Sequence, residues 1–371
     1  MLPDTDPTPT PSQHVSHPGA ALLLRLCCLV PLALATACAG ASKKAEPLDA
    51  GELPGSIAAA QTSLTEGRTA DAIDRMRRAT ATPGLSSEER GVVQELLERA
   101  CLQRIQELSD PPKPGKLRKL LKLELPRQLA VQAGVVGARL YAQEDERSKA
   151  FNLIEEIDLL YPNHSQRRAA GKILADVGFS YAEDSGRYWL FFKYRALAAP
   201  VLTYLVDNYP SEPRTDLAYF TLGDLYERER QWARAIESHE DLILWRPDSP
   251  RAAASQARIP HLRLNALASP EYDRHELNLA RTELEAWLDG HPDHPLRREV
   301  ERDLADSIQR LADSDLNIAR FYRRVENPDG AIYHTRRALV NARHVANEGL
   351  IDEAQGLLAA LNATADEGEA E

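Results

Sequence analysis

The chain has 371 residues, 43% hydrophobic and 27% charged, with a formal net charge of −11 from 45 basic and 56 acidic side chains. It is too apolar for a disordered chain and too evenly charged for an integral membrane protein. It is also too acidic for a phosphate-backbone binder, which needs a basic face. Only 19 residues are Gly, while Ala, Leu, Arg and Glu dominate, which argues for helices and against Gly-rich phosphate loops. The four cysteines (Cys27, Cys28, Cys38 and Cys101) have neither a disulfide-framework pattern nor zinc spacing.

In chain order, residues 1–37 read as a signal peptide. Arg25 precedes an apolar run through Leu34, the small residues Ala35, Thr36 and Ala37 follow, and Cys38 comes next. Small residues followed at once by cysteine resemble the lipobox of bacterial lipoproteins. That resemblance implies cleavage before Cys38 and acylation of its thiol and new amine, a durable membrane attachment. An uncleaved anchor is the alternative, since Ala20 to Ala37 is 18 residues, the short limit for a spanning helix. Plain secretion is another. Position 39 is Ala rather than the Asp that commonly retains lipoproteins at the inner membrane, which favours the outer membrane. Residues 38–54, small and polar, read as a flexible tether.

Residues 55–110 read as an N-terminal helical region. A degenerate repeat at 53–86 has Gly67 and Ala72 in register, and Ser86–Leu108 forms one long helix opened by a Ser86–Glu89 capping box. Residues 111–130 combine a Pro-rich break at Asp110–Gly115 with a basic run, Lys116–Arg127. The run reads either as a solvated helix face or as a contact with anionic lipid.

Residues 131–345 hold a repeat. An Ala is followed twelve positions later by a Pro at Ala150/Pro162, Ala198/Pro210, Ala235/Pro247 and Ala280/Pro292. Three of these have a second Pro three residues on, at Pro213, Pro250 and Pro295. The expected grammar is a Pro that stops one helix, a Ser or Asp that caps the next, and a Pro in its first turn. The clearest unit, 216–249, holds Tyr219, Leu222, Gly223, Tyr226, Ala235 and Pro247 over 34 residues. This resembles the tetratricopeptide repeat. Gly223 and Ala235 are small where two helices cross, Tyr226 is expected to fill the gap beside them, and His239 replaces the usual aromatic.

Weaker units lie at 131–164, at 261–294 (Leu267, Ala268, Ala280, Pro292, with Glu271 for the Tyr) and at 312–345 (Ile318, Ala319, Tyr322, Ala331, no Pro). A unit at 165–210 has its first helix displaced by an insertion around Glu183–Tyr194. Residues 346–361 read as a C-terminal helix and 362–371 as an acidic disordered tail. No strand-like alternation appears. The expected fold is all-α, a right-handed α-solenoid of tetratricopeptide-like helical hairpins.

No catalytic motif is found: there is no phosphate loop, no G-x-S-x-G elbow and no H-E-x-x-H. The chain is read as a non-enzyme without cofactor. His291, Asp293 and His294, with His275 and His261 upstream, are read as turn residues rather than a metal site. Function is therefore sought on a groove. In unit 216–249 it would be lined by Leu217, Phe220, Asp224 and Glu227, which suit a partner carrying basic residues. Packing of Leu217 and Phe220 against the next unit is the competing reading.

A lipidated N-terminus leading into such repeats resembles the BamD lipoproteins of the outer-membrane β-barrel assembly machinery. From about Ser211 to Ala342 the order of signals is similar. It runs from Tyr219-Phe220-Thr221-Leu222-Gly223, through Ala280, Glu283-Leu284 and His291-Pro292-Asp293, to Arg310-Leu311-Ala312, Ile318–Tyr322 and Gly330-Ala331-Ile332. The resemblance implies a periplasmic scaffold that docks a barrel-forming subunit, with Arg310 as a partner contact. The alternative is a lipoprotein scaffold of another envelope complex, in secretion, motility or cell-wall synthesis.

Overall fold

The computed structural model describes residues 44–186, 193–267 and 273–368. Cys38, the signal peptide, Ala268 and Glu271 lie outside them, as does half of the Glu183–Tyr194 insertion, residues 187–192. The described residues are all-α. They form α1 (Leu53–Thr65), α2 (Thr69–Ala81), α3 (Ser87–Glu107), α4 (Pro114–Leu121), α5 (Arg127–Gln143), α6 (Arg147–Leu160), α7 (Arg167–Glu183), α8 (Ala198–Asn208), α9 (Thr215–Arg228), α10 (Trp232–Trp245), α11 (Ala252–Ala266), α12 (Arg274–Gly290), α13 (Arg297–Arg324), α14 (Pro328–His344) and α15 (Glu348–Gly368).

The chain divides into two compact units after Gly134, inside α5 and not at the Pro-rich segment. In the first, α1 and α2 form a hairpin against α3. The expected capping box is present: Ser86 Oγ accepts from Glu89 N–H while the Glu89 carboxylate accepts from Ser86 N–H. On α4, Leu117, Leu120 and Leu121 are buried, while Lys116, Arg118 and Lys119 are exposed, the solvated-face pattern. Residues 45–48 are not a free tether. Leu48 is buried and its N–H donates to Thr82 Oγ1 at 3.0 Å, Arg78 reaches Glu46 O, and Ala45 N–H reaches Glu124. Burial of Leu48 and these three hydrogen bonds act together against the cost of ordering the segment.

The second unit is an α-solenoid of helical hairpins in which, from α6 to α15, each helix packs on the next. Alternate helices also meet, α7 with α9, α11 with α13, and α13 with α15. Two kinds of turn build it. After α6, α8, α10 and α12, the residues Tyr161, Tyr209, Arg246 and His291 take nearly the same conformation, φ −129 to −138 and ψ 52 to 64. Each donates its N–H four residues back, and the Pro that follows excludes a further helical turn. After α5, α9, α13 and α14, a residue with positive φ ends the helix: Asp145, Arg230, Glu326 and Ala346. The next N–H then reaches five residues back, as from Gln231 to Tyr226 O at 2.8 Å and from Asn327 to Tyr322 O at 3.0 Å. Gly67 makes the same turn between α1 and α2.

Several expectations are corrected. Pro213, Pro250 and Pro295 sit in the loop two residues ahead of α9, α11 and α13, outside the first helical turn. Side-chain caps come instead from Ser86, Asp273, Asn327 and Asn347 among the described residues. The 261–294 frame is displaced. Its first helix is α11, which begins at Ala252 and runs through Pro260, and Leu267 is already extended beyond its end. A proline costs one backbone hydrogen bond, and burial of Ala257, Leu262 and Leu264 around it offsets that loss. The 312–345 frame is likewise incomplete, because α13 is a single 28-residue helix that starts at Arg297. Its first half packs with α12 and its second half with α14 and α15. No Pro follows α14 because the left-handed turn at Ala346 does that job. Finally, α15 continues to Gly368, past the expected end at Leu361. Ala359, Ala360, Ala363 and Ala365 are strong helix formers, and no Gly or Pro intervenes before Gly368.

Candidate functional site

The four predicted groove residues lie on α9 with spacings of three and four, so they share one helix face. All four are half-buried, and the next helices explain why. Glu227 lies 3.9 Å from Arg258 and 3.6 Å from His261, both on α11. Arg258 in turn reaches Glu299 at 3.3 Å, and His261 Nδ1 reaches Asp303 at 2.9 Å, both on α13. Acid, base and acid therefore alternate across α9, α11 and α13. The Asp303 and Glu227 carboxylates push the His261 pKa up to about 9, so it is an imidazolium at neutral pH. The nearby His261 imidazolium in turn holds Glu227 below the usual carboxylate range.

Phe220 meets His239 edge to face at 5.3 Å. His239, on α10, is fully buried, and its Nδ1 lies 3.1 Å from Ser255 Oγ on α11. Burial lowers its pKa to about 4, so it is neutral. It also fills the helix crossing. A Cβ on Gly223 would lie 2.7 Å from His239 Cε1 and 2.9 Å from Cδ2. This corrects the part expected of Tyr226, whose half-buried ring instead carries the Arg234 guanidinium at 5.2 Å. Phe220 is thus spent partly on internal packing.

Asp224 differs from its neighbours. Its carboxyl makes no hydrogen bond or ion pair among the described residues, and desolvation raises its pKa despite the field of Arg258 and Arg228. A partly desolvated acid has more to gain from an added opposite charge than a fully solvated one.

Arg310 is committed elsewhere. Its guanidinium donates to Leu264 O in the last turn of α11 at 2.8 Å and pairs with Asp306 at 2.8 Å. It completes the carbonyl end of α11. The histidines around the α12–α13 turn are also accounted for. His291 stacks on Trp287 at 4.8 Å, His294 meets Trp287 edge-on, and His294 Nδ1 accepts from Leu296 N–H. His275 is exposed. No group of metal-ligating side chains and no helix long and apolar enough to cross a membrane is found among the described residues. Cys101 is buried, and desolvation pushes its thiol up to about 12, so it is a packing residue.

Sequence reasoning missed Arg258, Glu299 and Asp303 altogether. Their partners stand roughly 30–40 positions away, a separation at which no local spacing signal survives. His261 was noticed, but as a turn residue, whereas it lies inside α11.

No family model matches the chain, and no curated protein does. Among solved structures, it is similar to the C-terminal part of a TPR repeat-containing protein from Cytophaga hutchinsonii. There the identity is 12%, over 80% of this chain and 98% of that one, with a TM-score of 0.27. It is also similar to the TPR domain of P58(IPK), at 14% identity over 83% of this chain and 79% of that one, with a TM-score of 0.22. The fold assignment rests on the helix order and turns described above.

Proposed function

We propose that the chain is a protein-binding scaffold, held to a bacterial membrane by a lipid on Cys38, that grips a cationic side chain of its partner at Asp224. One observation carries the binding part: a half-buried carboxylate without a partner among the described residues, set on a face braced by Glu227, Arg258, His261, Glu299 and Asp303. A braced face loses little conformational freedom on binding, so more of the contact energy appears as affinity. We further propose that the partner belongs to outer-membrane β-barrel assembly. Support for this comes from the signal-like N-terminus ending at Cys38 and from the order of small and aromatic residues over 211–342. Arg310 is left out of the proposed contact surface, because Leu264 O and Asp306 already hold its guanidinium in place.

The test is purification of the intact protein from membranes, with co-purifying proteins identified by mass spectrometry. A β-barrel protein recovered with the native chain and lost with Asp224→Lys supports the whole reading. Recovery of other envelope machinery alone would remove the assembly role and leave the scaffold. A native chain found in the soluble fraction, with Cys38 unmodified, would remove the lipid anchor.

A further inference from the structure

A second surface lies on the other layer of hairpin helices. Between α12 and α14 runs a groove of about 500 Å³, floored by Leu311 of α13. Its walls carry three guanidinium groups, Arg281 from α12 and Arg336 and Arg337 from α14, against the single carboxylate of Asp329 among its described lining. Ile332, Tyr333 and Val340 supply apolar surface, with Tyr333 57% and Val340 66% exposed. On α14 these residues recur every three or four positions, so they form one face. Counted on this lining alone, guanidinium groups exceed carboxylates, whereas the whole chain carries a net charge of −11.

The three arginines are not equally occupied. Arg281 pairs with Glu285 at 2.8 Å, and Arg337 sits over the Tyr333 ring and 3.7 Å from Asp315. Arg336 is exposed and has no hydrogen bond or ion pair among the described residues. In the groove the arginines flank exposed Tyr333, and Arg and Tyr are both enriched at binding hot spots. Guanidinium groups fit carboxylates in a paired, planar geometry, and the apolar strip between them has nothing to offer a bare phosphate. A nucleic acid is disfavoured by the acidic chain as a whole.

We propose that this groove is a second docking site, which takes a segment of a protein partner bearing carboxylates on either side of a large apolar side chain. It is independent of the Asp224 face and of any lipid anchor. Together the two faces let one scaffold hold a basic and an acidic partner at once.

The test is fluorescence anisotropy with the purified chain and a set of short fluorescein-labelled peptides. In each, glutamates flank a Leu-Phe pair at different spacings. Controls replace Glu by Lys, or Leu-Phe by Ser-Ser. At least one acidic apolar peptide should bind saturably, and neither control should. Arg336→Glu and Val340→Ser, both at exposed positions that folding tolerates, should each weaken binding about tenfold. Asp224→Asn should leave it unchanged. The proposal fails if no acidic peptide binds saturably, or if binding survives Arg336→Glu. It also fails if the Ser-Ser peptide binds equally well and inorganic phosphate or phosphatidylglycerol vesicles displace it, which would make the groove an anion or lipid site.

Discussion

The brace across α9, α11 and α13 makes stability depend on pH in a specified direction. His261 lies between Asp303 at 2.9 Å and Glu227 at 3.6 Å, with Arg258 the opposing cation nearby. Its pKa rises from 6.5 to about 9. A histidine whose folded pKa exceeds its unfolded value stabilises fully below the unfolded pKa, and that stability fades as pH rises through the folded one. The window is therefore 6.5 to about 9. A difference of 2.5 units at 1.36 kcal/mol each sets a ceiling of about 3 kcal/mol. His261 is 24% exposed, so part of the field reaches water and ~2 kcal/mol is the working expectation. The perturbation is His261→Gln, which keeps a polar side chain and removes the charge. The assay is urea unfolding followed by tryptophan fluorescence. All four tryptophans (Trp189, Trp232, Trp245 and Trp287) fall within residues 135–371, so the signal reports the second unit alone. The native chain should exceed the variant by ~2 kcal/mol near pH 6, and the gap should close near pH 10. A gap equal at both pH values would refute the argument, because the contribution of His261 would then not depend on its proton.

Three further outcomes follow from the packing and the turns. Gly223→Ala should cost about 1–3 kcal/mol in the same assay, because buried His239 cannot yield to a new methyl. In a His239→Ala background that cost should largely vanish, and strictly additive effects would rule the clash out. Ala346→Gly should stabilise by about 1 kcal/mol, since a left-handed residue with a Cβ is strained and Gly is not; an unchanged melting temperature would mean that the turn holds no such strain. Ser86→Ala should cost about 1 kcal/mol and speed amide hydrogen exchange at the start of α3, and protection there equal to the native chain would count against the capping box.

Much of the architecture was readable along the chain, for reasons that are local. The Ser86–Glu89 box spans three residues, and both halves of each Ala/Pro pair lie within one helix and its exit turn. Gly223 and Ala235 were recognisable because close helix crossings admit only small residues. The frame starting at 261 missed the beginning of α11 at Ala252, because that helix runs through Pro260, whose neighbours are buried. The left-handed turns were hidden as well. Gly would have announced them, but Asp145, Arg230, Glu326 and Ala346 occupy the position. The candidate site was half visible. The face of Leu217, Phe220, Asp224 and Glu227 followed from helical spacing alone, while the α11 and α13 residues that brace it did not.

By itself, then, the sequence determined the helices, most of their ends and their pairing into hairpins, because these depend on backbone preferences and apolar spacing over a few turns. Only the tertiary structure decided which acids are spent and which remain available. Glu227 and Asp224 are three residues apart on the same helix, yet one is claimed by Arg258 and His261 and the other has no partner among the described residues. Charge pairing is a matter of a few ångströms between side chains far apart in the chain, and that distance exists only once the hairpins have stacked.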